Sequence, residues 1–429
     1  MRFYGARKPR PRPGPIARAT VRTSAVLGLR LAVQAGTLLL VARLLGPQQF
    51  GAFAGVAALA VMLGTLSTFG THLVLLAEVS RDPARSASVL PFALSTTGFC
   101  GGALLALYLL IAPALSHEAG ISTDVLIALG TTELLLQPLL SLPAMEHQGR
   151  GRIATSQAIL SLPLILRLLA AWTIWLLRPA DPLRAYAWCY LAASALVLIA
   201  ATVDRRSTWP VPGDWRLPHL AELRRAAGYA ALNLTASGPA ELDKTLALRL
   251  LPLAAAGVYA AGARVIGALT LPVTAMMLSA LPRLFREGQS DRVRSARLLR
   301  WIFAAALVYS VALAALLWFI APAFVWLFGP KYHGIEHMIH WLCLAVPGMA
   351  LRITAGSTLM ALGKPWARVG FEIAGLVVLL MVALPLTAHF GEIGMPLALA
   401  CSEWTMAIVG SVTVRLPKRC ITFGVDSHP

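Results

Sequence analysis

Twelve long apolar runs dominate the chain and limit the folds it can adopt more than any other feature. An α-helix needs about 20 apolar residues to cross the hydrocarbon core of a bilayer. Each run reaches that length, and they lie at residues 24–45, 50–77, 88–112, 121–145, 152–177, 183–203, 226–250, 253–282, 296–321, 335–362, 367–389 and 393–414. Only 13% of the 429 residues are charged, too few to cover a soluble globule. The sequence therefore predicts an all-α membrane protein with about twelve spanning helices.

The basic residues lie mostly in one set of loops. With the N-terminus inside, 27 of the 37 Lys and Arg residues fall in inner segments and only three, Arg178, Arg184 and Lys331, in outer segments. Such an excess is typical of cytosolic loops. We therefore expect both termini in the cytosol. We interpret the net charge of +18 as a sign of topology and of attraction to anionic membrane lipids, not of nucleic-acid binding.

Loops and runs together divide the chain into five expected parts. These are a disordered basic tail (1–23), a six-helix bundle (24–203), a basic cytosolic linker (204–225), a second six-helix bundle (226–415) and a cytosolic tail (416–429). Within the linker, an interfacial helix is expected from Leu217.

An internal repeat relates the two predicted bundles. "RLLGPQQFGAFAG" (43–55) aligns without a gap with "RLLPLAAAGVYAA" (249–261), so that Gly51 matches Gly257 and Phe53 matches Tyr259. Six helices return a chain to the side from which it started, so both bundles should have the same orientation. Parallel repeats of this kind occur in transporters.

Seven basic residues fall inside predicted spans, where a charge in hydrocarbon costs about 2.5–3.5 kcal/mol on insertion scales. They are Arg30, Arg43, Arg167, Lys244, Arg249, Arg264 and Arg352. Arg43 and Arg249 are matched by the repeat near a helix end, where long side chains can reach the interface. Five charges have no counterpart in the other half and are therefore better functional candidates: Arg30, Glu241, Asp243, Lys244 and Arg264.

Polar side chains recur at helical spacing on three predicted spans. Such spacing puts them on one helix face, which predicts a shared hydrated interior. The three faces are Arg30, Gln34 and Thr37; Glu133, Gln137 and Ser141; and Asn233, Ser237, Glu241 and Thr245.

Helical spacing also predicts how some of these charges pair. Glu241 and Lys244 are three residues apart and can pair, whereas Asp243 points about 100° away from Lys244. Asp243 therefore needs another partner, for which Arg264 is a candidate. Arg352 is expected to meet Glu372 or Glu403.

Four stretches resemble a known family. "ARLLGPQQFGAFAGVAALAVMLGTLSTFG" resembles the first helices of polysaccharide transporters of the Wzx (O-antigen flippase) type. "ELDKTLALRLLPLAAAGVYAAGARVIGALTLPVTAMMLSALPRLF" is similar to their seventh and eighth helices. "LMALGKPWARVGFEIAGLVV" and "HFGEIGMPLALA" are similar to the later helices of the C-terminal half. The resemblance extends over residues 20–415.

The resemblance implies the fold of the multidrug/oligosaccharidyl-lipid/polysaccharide (MOP) exporters, in which two bundles surround a central cavity. It also implies a substrate, an undecaprenyl-diphosphate-linked oligosaccharide that moves from the cytosolic to the periplasmic leaflet of the bacterial inner membrane. The cavity candidates are Arg30, Gln34, Glu133, Gln137, Asn233, Glu241, Asp243, Lys244, Arg264 and Arg352. A polysaccharide polymerase and chain-length proteins are candidate partners. No cofactor is expected, and H⁺ or Na⁺ is the candidate coupling ion.

Two alternatives stay open at this stage. One is a MATE-like antiporter for drugs or cations, which Glu133 supports and Arg30 opposes. The other is a membrane glycosyltransferase or polymerase of the same pathway. The short predicted outer loops disfavour such an enzyme, and the chain has no P-loop, HExxH or GxSxG motif.

Overall fold

The computed structural model describes residues 15–203, 209–210, 212–277 and 292–415. Within them the chain is helical and has no strand. The principal helices are α1 (Pro15–Ser67), α2 (Thr71–Arg81), α3 (Ser86–Leu115), α4 (Thr123–Thr131), α5 (Gln137–Gly149), α6 (Ile153–Leu177), α7 (Pro182–Val203), α8 (Leu220–Leu250), α9 (Leu253–Leu269), α10 (Arg292–Phe328), α11 (Ile335–Leu342), α12 (Val346–Ala361), α13 (Pro365–Phe390) and α14 (Gly394–Arg415). A π-helical turn, Thr132–Leu136, joins α4 to α5.

Nine helical segments of the described chain are long and apolar enough to cross a membrane. Two of them, Gly28–Ser67 and Pro365–Arg415, have 40 and 51 residues, so each holds two of the predicted runs. Helix α8 is not among the nine because Glu241, Asp243 and Lys244 lower its hydropathy. The chain is a multi-pass all-α membrane protein, whereas the count of twelve helices stays a prediction.

Large apolar side chains on the outer faces of the spans support this conclusion. In the most apolar part of Leu299–Phe328 only 22% of residues are buried, although the mean hydropathy is 2.3. Trp301 and Phe319 are 70% and 81% exposed. Such surfaces are unfavourable in water and favourable against lipid.

Two predicted boundaries differ from the structure. Helix α1 begins at Pro15, so residues 15–23 are helical and do not belong to a disordered tail; residues 1–14 and 416–429 lie outside the described chain. The interfacial helix expected from Leu217 is not separate, because α8 runs without interruption from Leu220 into the seventh run. Pro15 is suited to the start of α1, because a backbone N–H in the first turn of a helix has no partner within the helix and proline lacks this group.

Helix α1 carries two predicted runs across a single kink. Gly46 adopts φ 70° and ψ 170°, a conformation that a residue with a side chain rarely adopts, and Pro47 follows it. The second run is interrupted again between α1 and α2, where Phe69 and Gly70 both have positive φ.

The chain forms two compact units that do not follow the order of the sequence. Unit 1 contains the described residues within 15–44, 66–109 and 122–229, and unit 2 contains those within 45–65, 110–121 and 230–415. In unit 1, α2 packs on α5, and α6 packs on both α5 and α7. In unit 2, α14 packs on α12 and α13, and α9 packs on α11.

Within unit 2, two glycines allow a close helix crossing. A Cβ on Gly257 would lie 1.9 Å from the carbonyl oxygen of Pro47, and a Cβ on Gly51 would lie 2.5 Å from that of Leu253. Gly51 and Gly257 are the two positions matched by the internal repeat. The structure thus brings equivalent points of the two repeats into contact.

Candidate functional site

The charged stretch of α8 forms a buried network in unit 2. Lys244 Nζ lies 3.2 Å from Asp243 Oδ1 and 3.7 Å from Glu241 Oε2. The Tyr259 hydroxyl donates a 2.8 Å hydrogen bond to Asp243 Oδ2. Asp243 and Lys244 are 2% and 7% exposed. The ion pairs together with this hydrogen bond satisfy a charged cluster that could not otherwise be buried.

The predicted pairing is therefore correct for Glu241 and Lys244 and wrong for Asp243. Adjacent helical positions diverge at Cβ, but the long lysine side chain reaches back to its neighbour. Among the described residues Arg264 forms no ion pair with Asp243. Its guanidinium instead lies over the ring of Phe50, with Cζ 5.9 Å from the ring centroid.

A second buried ion pair in unit 2 joins α12 to α14. Arg352 Nε donates a 2.6 Å hydrogen bond to Glu403 Oε2, which confirms one of the two expected partners. On α13, Arg368 Nε donates a 3.0 Å hydrogen bond to Glu372 Oε1. Glu403 Oε1 and Glu372 Oε2 are buried and accept no hydrogen bond from the described residues.

In unit 1 the polar residues converge on the π-helical turn. Glu133 lies in this turn and accepts a hydrogen bond from the hydroxyl of Tyr190 on α7. Arg167 Nη2 lies 3.6 Å from Glu133 and donates a 2.9 Å hydrogen bond to Ser194 Oγ. The Arg167 guanidinium stacks 3.4 Å from the centroid of the Tyr190 ring. Single π turns are frequent at functional sites because they re-aim side chains.

The remaining candidates are less involved in such networks. Gln137 lies at the limit of hydrogen bonding to Ser194, with Nε2 3.5 Å from Oγ. Gln34 is exposed on α1 and Asn233 is half-buried on α8. The side chain of Ser237, part of the predicted α8 stripe, lies outside the described structure. Thr245 departs from that stripe, because its hydroxyl donates to the carbonyl of Gly55.

Arg30 and Arg264 differ from the other candidate cations. Arg30 donates a 3.2 Å hydrogen bond to the neutral side chain of Gln157. Across the described part of the chain neither arginine pairs with a carboxylate, whereas Lys244, Arg352 and Arg167 all do. The structure therefore divides the predicted site into neutralised pairs and two uncompensated guanidinium groups.

Sequence reasoning missed the hydroxyl groups that complete both networks, those of Tyr259, Tyr190 and Ser194. The internal repeat contains a sequence signal for one of these hydroxyl groups. Tyr259 aligns with Phe53, so its hydroxyl is the difference between the two copies, and that hydroxyl bonds Asp243. Tyr190 and Ser194 left none, since their partners are distant in sequence.

Comparison with known proteins assigns the chain to a family. Residues 18–287, well over half of the chain, match the family of "Polysaccharide biosynthesis protein". The chain belongs to this family. Among curated proteins none is similar enough in sequence to match.

Solved structures similar to this polysaccharide biosynthesis protein share its fold. An inward-facing multidrug-resistance MATE transporter of the MOP superfamily has a TM-score of 0.74 and 16% identity, and the match covers 92% of this chain and 97% of that one. The lipid II flippase MurJ, in an inward closed conformation, has a TM-score of 0.72 and 11% identity over 92% and 88%. A MOP superfamily transporter from Pyrococcus furiosus has a TM-score of 0.64 and 15% identity over 93% and 95%. The chain therefore has the MOP transporter fold.

Proposed function

We propose that this protein is a flippase for an undecaprenyl-diphosphate-linked oligosaccharide. It moves the lipid from the cytosolic to the periplasmic leaflet of the bacterial inner membrane by alternating access. The flipped glycan then enters surface polysaccharide synthesis, where a polymerase and chain-length proteins are the expected partners. It acts as a transporter without a cofactor, and both its termini are cytosolic.

The family match on a multi-pass fold is the observation that carries this proposal. The function must belong to polysaccharide biosynthesis, and a helical protein embedded in a membrane must be able to perform it. One MOP neighbour, MurJ, is itself described as a lipid II flippase. Moving a lipid-linked glycan precursor connects the family to the fold.

The two uncompensated arginines support an anionic substrate. A guanidinium stays charged and binds phosphate oxygens in pairs. Because an unpaired charge is costly inside a membrane protein, such a residue indicates a hydrated path or a ligand. Arg30 in unit 1 and Arg264 in unit 2 are our candidates for attracting the diphosphate. Arg352 and Arg167 join neighbouring helical segments through their acids, whereas Lys244 neutralises acids of its own helix.

A proton is the coupling ion that the unit 2 network favours. Glu403 Oε1 and Glu372 Oε2 are buried oxygens that could each hold a proton. Sodium needs several oxygen ligands, and the guanidinium next to Glu403 would repel it. If protons drive transport, Glu403→Gln abolishes its dependence on the pH gradient, measured in proteoliposomes that hold equal amounts of folded protein because the variant also breaks the buried pair with Arg352. Flipping that still follows the pH gradient in this variant would exclude Glu403 as the carrier.

A deletion strain tests the function. We expect lipid-linked oligosaccharide to accumulate on the cytosolic leaflet and surface polysaccharide to be lost. Complementation with Arg30→Gln or Arg264→Gln should fail at normal protein levels. Arg178→Gln, an exposed arginine in a predicted outer loop, is the matched control and should restore polysaccharide. Full complementation by Arg30→Gln and Arg264→Gln together would remove both residues from the mechanism.

A drug or cation antiporter is the second candidate, because the similar structures include MATE transporters and unit 1 contains the buried acid Glu133. The same strain separates the two functions. Normal surface polysaccharide together with new drug sensitivity would favour the antiporter.

A further inference from the structure

A cavity of about 410 Å³ opens on unit 2, and its lining includes no residue of the charged networks. Its walls come from the kink of α1, the first turns of α9, the segment leading into α11, and the turn between α13 and α14. Its volume lies in the range of small-ligand pockets. The cavity contains the predicted outer-loop residue Lys331, so the positive-inside rule puts it on the side away from the cytosol.

The polar groups in this cavity are mixed in character. Lys331 and His333 are exposed donors, and Glu392 supplies acceptor oxygens. No ion pair within the described chain involves Lys331 or Glu392, so both charges are available to a ligand. Trp341 Nε1 donates a 3.1 Å hydrogen bond to His337 Nε2, which leaves the proton of a neutral His337 ring on Nδ1. His337 can therefore act as a further donor.

Aromatic rings form the apolar part of the cavity. Trp341 stands with its ring at 79° to that of His337, with centroids 6.2 Å apart, and Phe390 is 56% exposed. A flat apolar face beside fixed donors and acceptors suits a ligand that has both an apolar face and polar edges.

These features exclude several kinds of ligand. Lys331 would repel a cation. An acyl chain would leave the charges of Lys331 and Glu392 desolvated and without partners. A small inorganic anion would use neither aromatic ring and would meet Glu392. A pyranose ring uses all of them, because its C–H face packs on an aromatic ring while its hydroxyl groups bond charged and imidazole side chains.

We propose that this cavity is a saccharide-binding site, and that it prefers a sugar with a carboxylate. In this arrangement the sugar stacks on Trp341, Lys331 binds the carboxylate, and Glu392 accepts a hydroxyl proton. The inference goes beyond the flipping of the lipid and does not depend on Arg30 or Arg264. Pro47 and Val258 both line the cavity, so a bound sugar touches each helix of the Gly51–Gly257 crossing. Sugar binding should therefore also stabilise unit 2.

The test uses purified full-length protein in nanodiscs of zwitterionic lipid. Saturation-transfer NMR measures binding of D-glucuronate, D-glucose and inorganic phosphate, and thermal unfolding provides a second readout. We expect glucuronate to give a signal and to raise Tm, glucose to bind more weakly, and phosphate not to displace glucuronate. Trp341→Ala and Glu392→Gln should each weaken glucuronate binding by about tenfold, the equivalent of losing one good contact.

Controls keep the result interpretable. Lys331→Gln should reduce the preference for glucuronate over glucose, whereas Trp326→Ala, an exposed tryptophan that does not line the cavity, should change nothing. Absence of a glucuronate signal, a signal that survives both Trp341→Ala and Glu392→Gln, or displacement by phosphate would each overturn the proposal. A failed flipping test with intact glucuronate binding would refute only the proposed transport function.

Discussion

Asp243 and Lys244 illustrate how buried charges are tolerated in this protein. They are chain neighbours, and the ion pair between them depends on the reach of the lysine side chain. Tyr259 and Glu241 provide further contacts. Removing Asp243 takes away the nearest acid of the buried Lys244, while Glu241 lies farther away and is more exposed. Breaking a buried pair in this way costs more than the pair itself contributes.

Asp243→Asn should therefore destabilise unit 2 by about 3–5 kcal/mol, the usual cost of breaking a buried ion pair. Thermal unfolding in nanodiscs would measure this as a lower Tm. Asp243→Asn combined with Lys244→Met should recover part of the loss, because the charge that loses its lysine, Glu241, is only partly buried. Asp214→Asn, an exposed acid in the linker, is the control. An unchanged Tm in Asp243→Asn would mean that Lys244 reaches water.

Arg167→Lys tests the cluster at the π turn. Lysine keeps the charge but loses the stacking on Tyr190 and the geometry of the hydrogen bond to Ser194, and we expect a loss of about 2–3 kcal/mol. Both Tm and complementation should fall. Arg178→Lys, at an exposed position, should behave like the wild type. If Arg167→Lys is equally neutral, only the charge at this position matters.

At the scale of single residues, the sequence singled out Asp243, Lys244 and Arg352, which the structure buries, but it predicted only some of their partners. The Glu241–Lys244 and Arg352–Glu403 pairs followed from spacing and from the scarcity of acids. The Tyr190 contact to Glu133 joins residues far apart in sequence, and no local pattern indicates it.

Among the helices, the crossing of α1 and α9 is the most restrictive packing feature. Backbone atoms of Pro47 and Gly257 approach so closely that no Cβ fits between them. A side chain there must move one helix, because backbone atoms cannot turn away as a flexible side chain can.

Gly257→Ala should separate the crossing and lower stability by about 1–3 kcal/mol, as overpacking typically does. Gly267→Ala is a matched control on the same helix, because a Cβ there meets nothing within 4 Å. That variant should be neutral or slightly stabilising, since alanine favours helix formation. Comparing the Tm and the complementation of the two variants separates the effect of packing at the crossing from the effect of helix propensity. Equal behaviour would argue against a tight crossing.

Arg216, in the segment before α8, contacts α3. Its guanidinium bonds Glu222 at 2.7 and 3.0 Å and lies 4.9 Å from the ring centroid of Phe92. The hydrogen bond from Arg216 lowers the pKa of Glu222 below its ordinary value of 4.5. The stabilisation is therefore present above that value and is lost as the pH falls through the lowered pKa.

A spin label at Gly213→Cys should report this attachment. In a background without other cysteines we expect the label to become more mobile only at a pH below 4.5, the ordinary pKa of this side chain, because Arg216 lowers the pKa of Glu222. The effect should amount to less than about 1 kcal/mol because the pair is partly exposed. Adding Glu222→Gln should make the label mobile at every pH. A label that is already mobile at neutral pH in the parent would contradict the attachment.

At the scale of the whole molecule, topology follows from charge. Basic residues gather in one set of loops, and translocation of positive loops is disfavoured. The same distribution predicts that Lys331 and the proposed saccharide cavity lie on the opposite side.

Cysteine labelling in intact cells tests this orientation. In a background without native cysteines, His333→Cys should react with a membrane-impermeant maleimide. Gly213→Cys should react only after the membrane is permeabilised, because it lies in the predicted cytosolic linker. The reverse pattern would invert the proposed topology.

The sequence by itself determined the class of the protein, its repeat and the charged residues that lie within its apolar runs. These properties depend on local composition and on periodicity along one chain. Tertiary structure decided that residues 45–65 belong to unit 2 and that Tyr259 and Tyr190 complete the networks. It also decided that Arg30 and Arg264 meet no carboxylate of the described residues. Those outcomes depend on which distant helices meet, because the free energy of a buried charge is set by the groups packed around it.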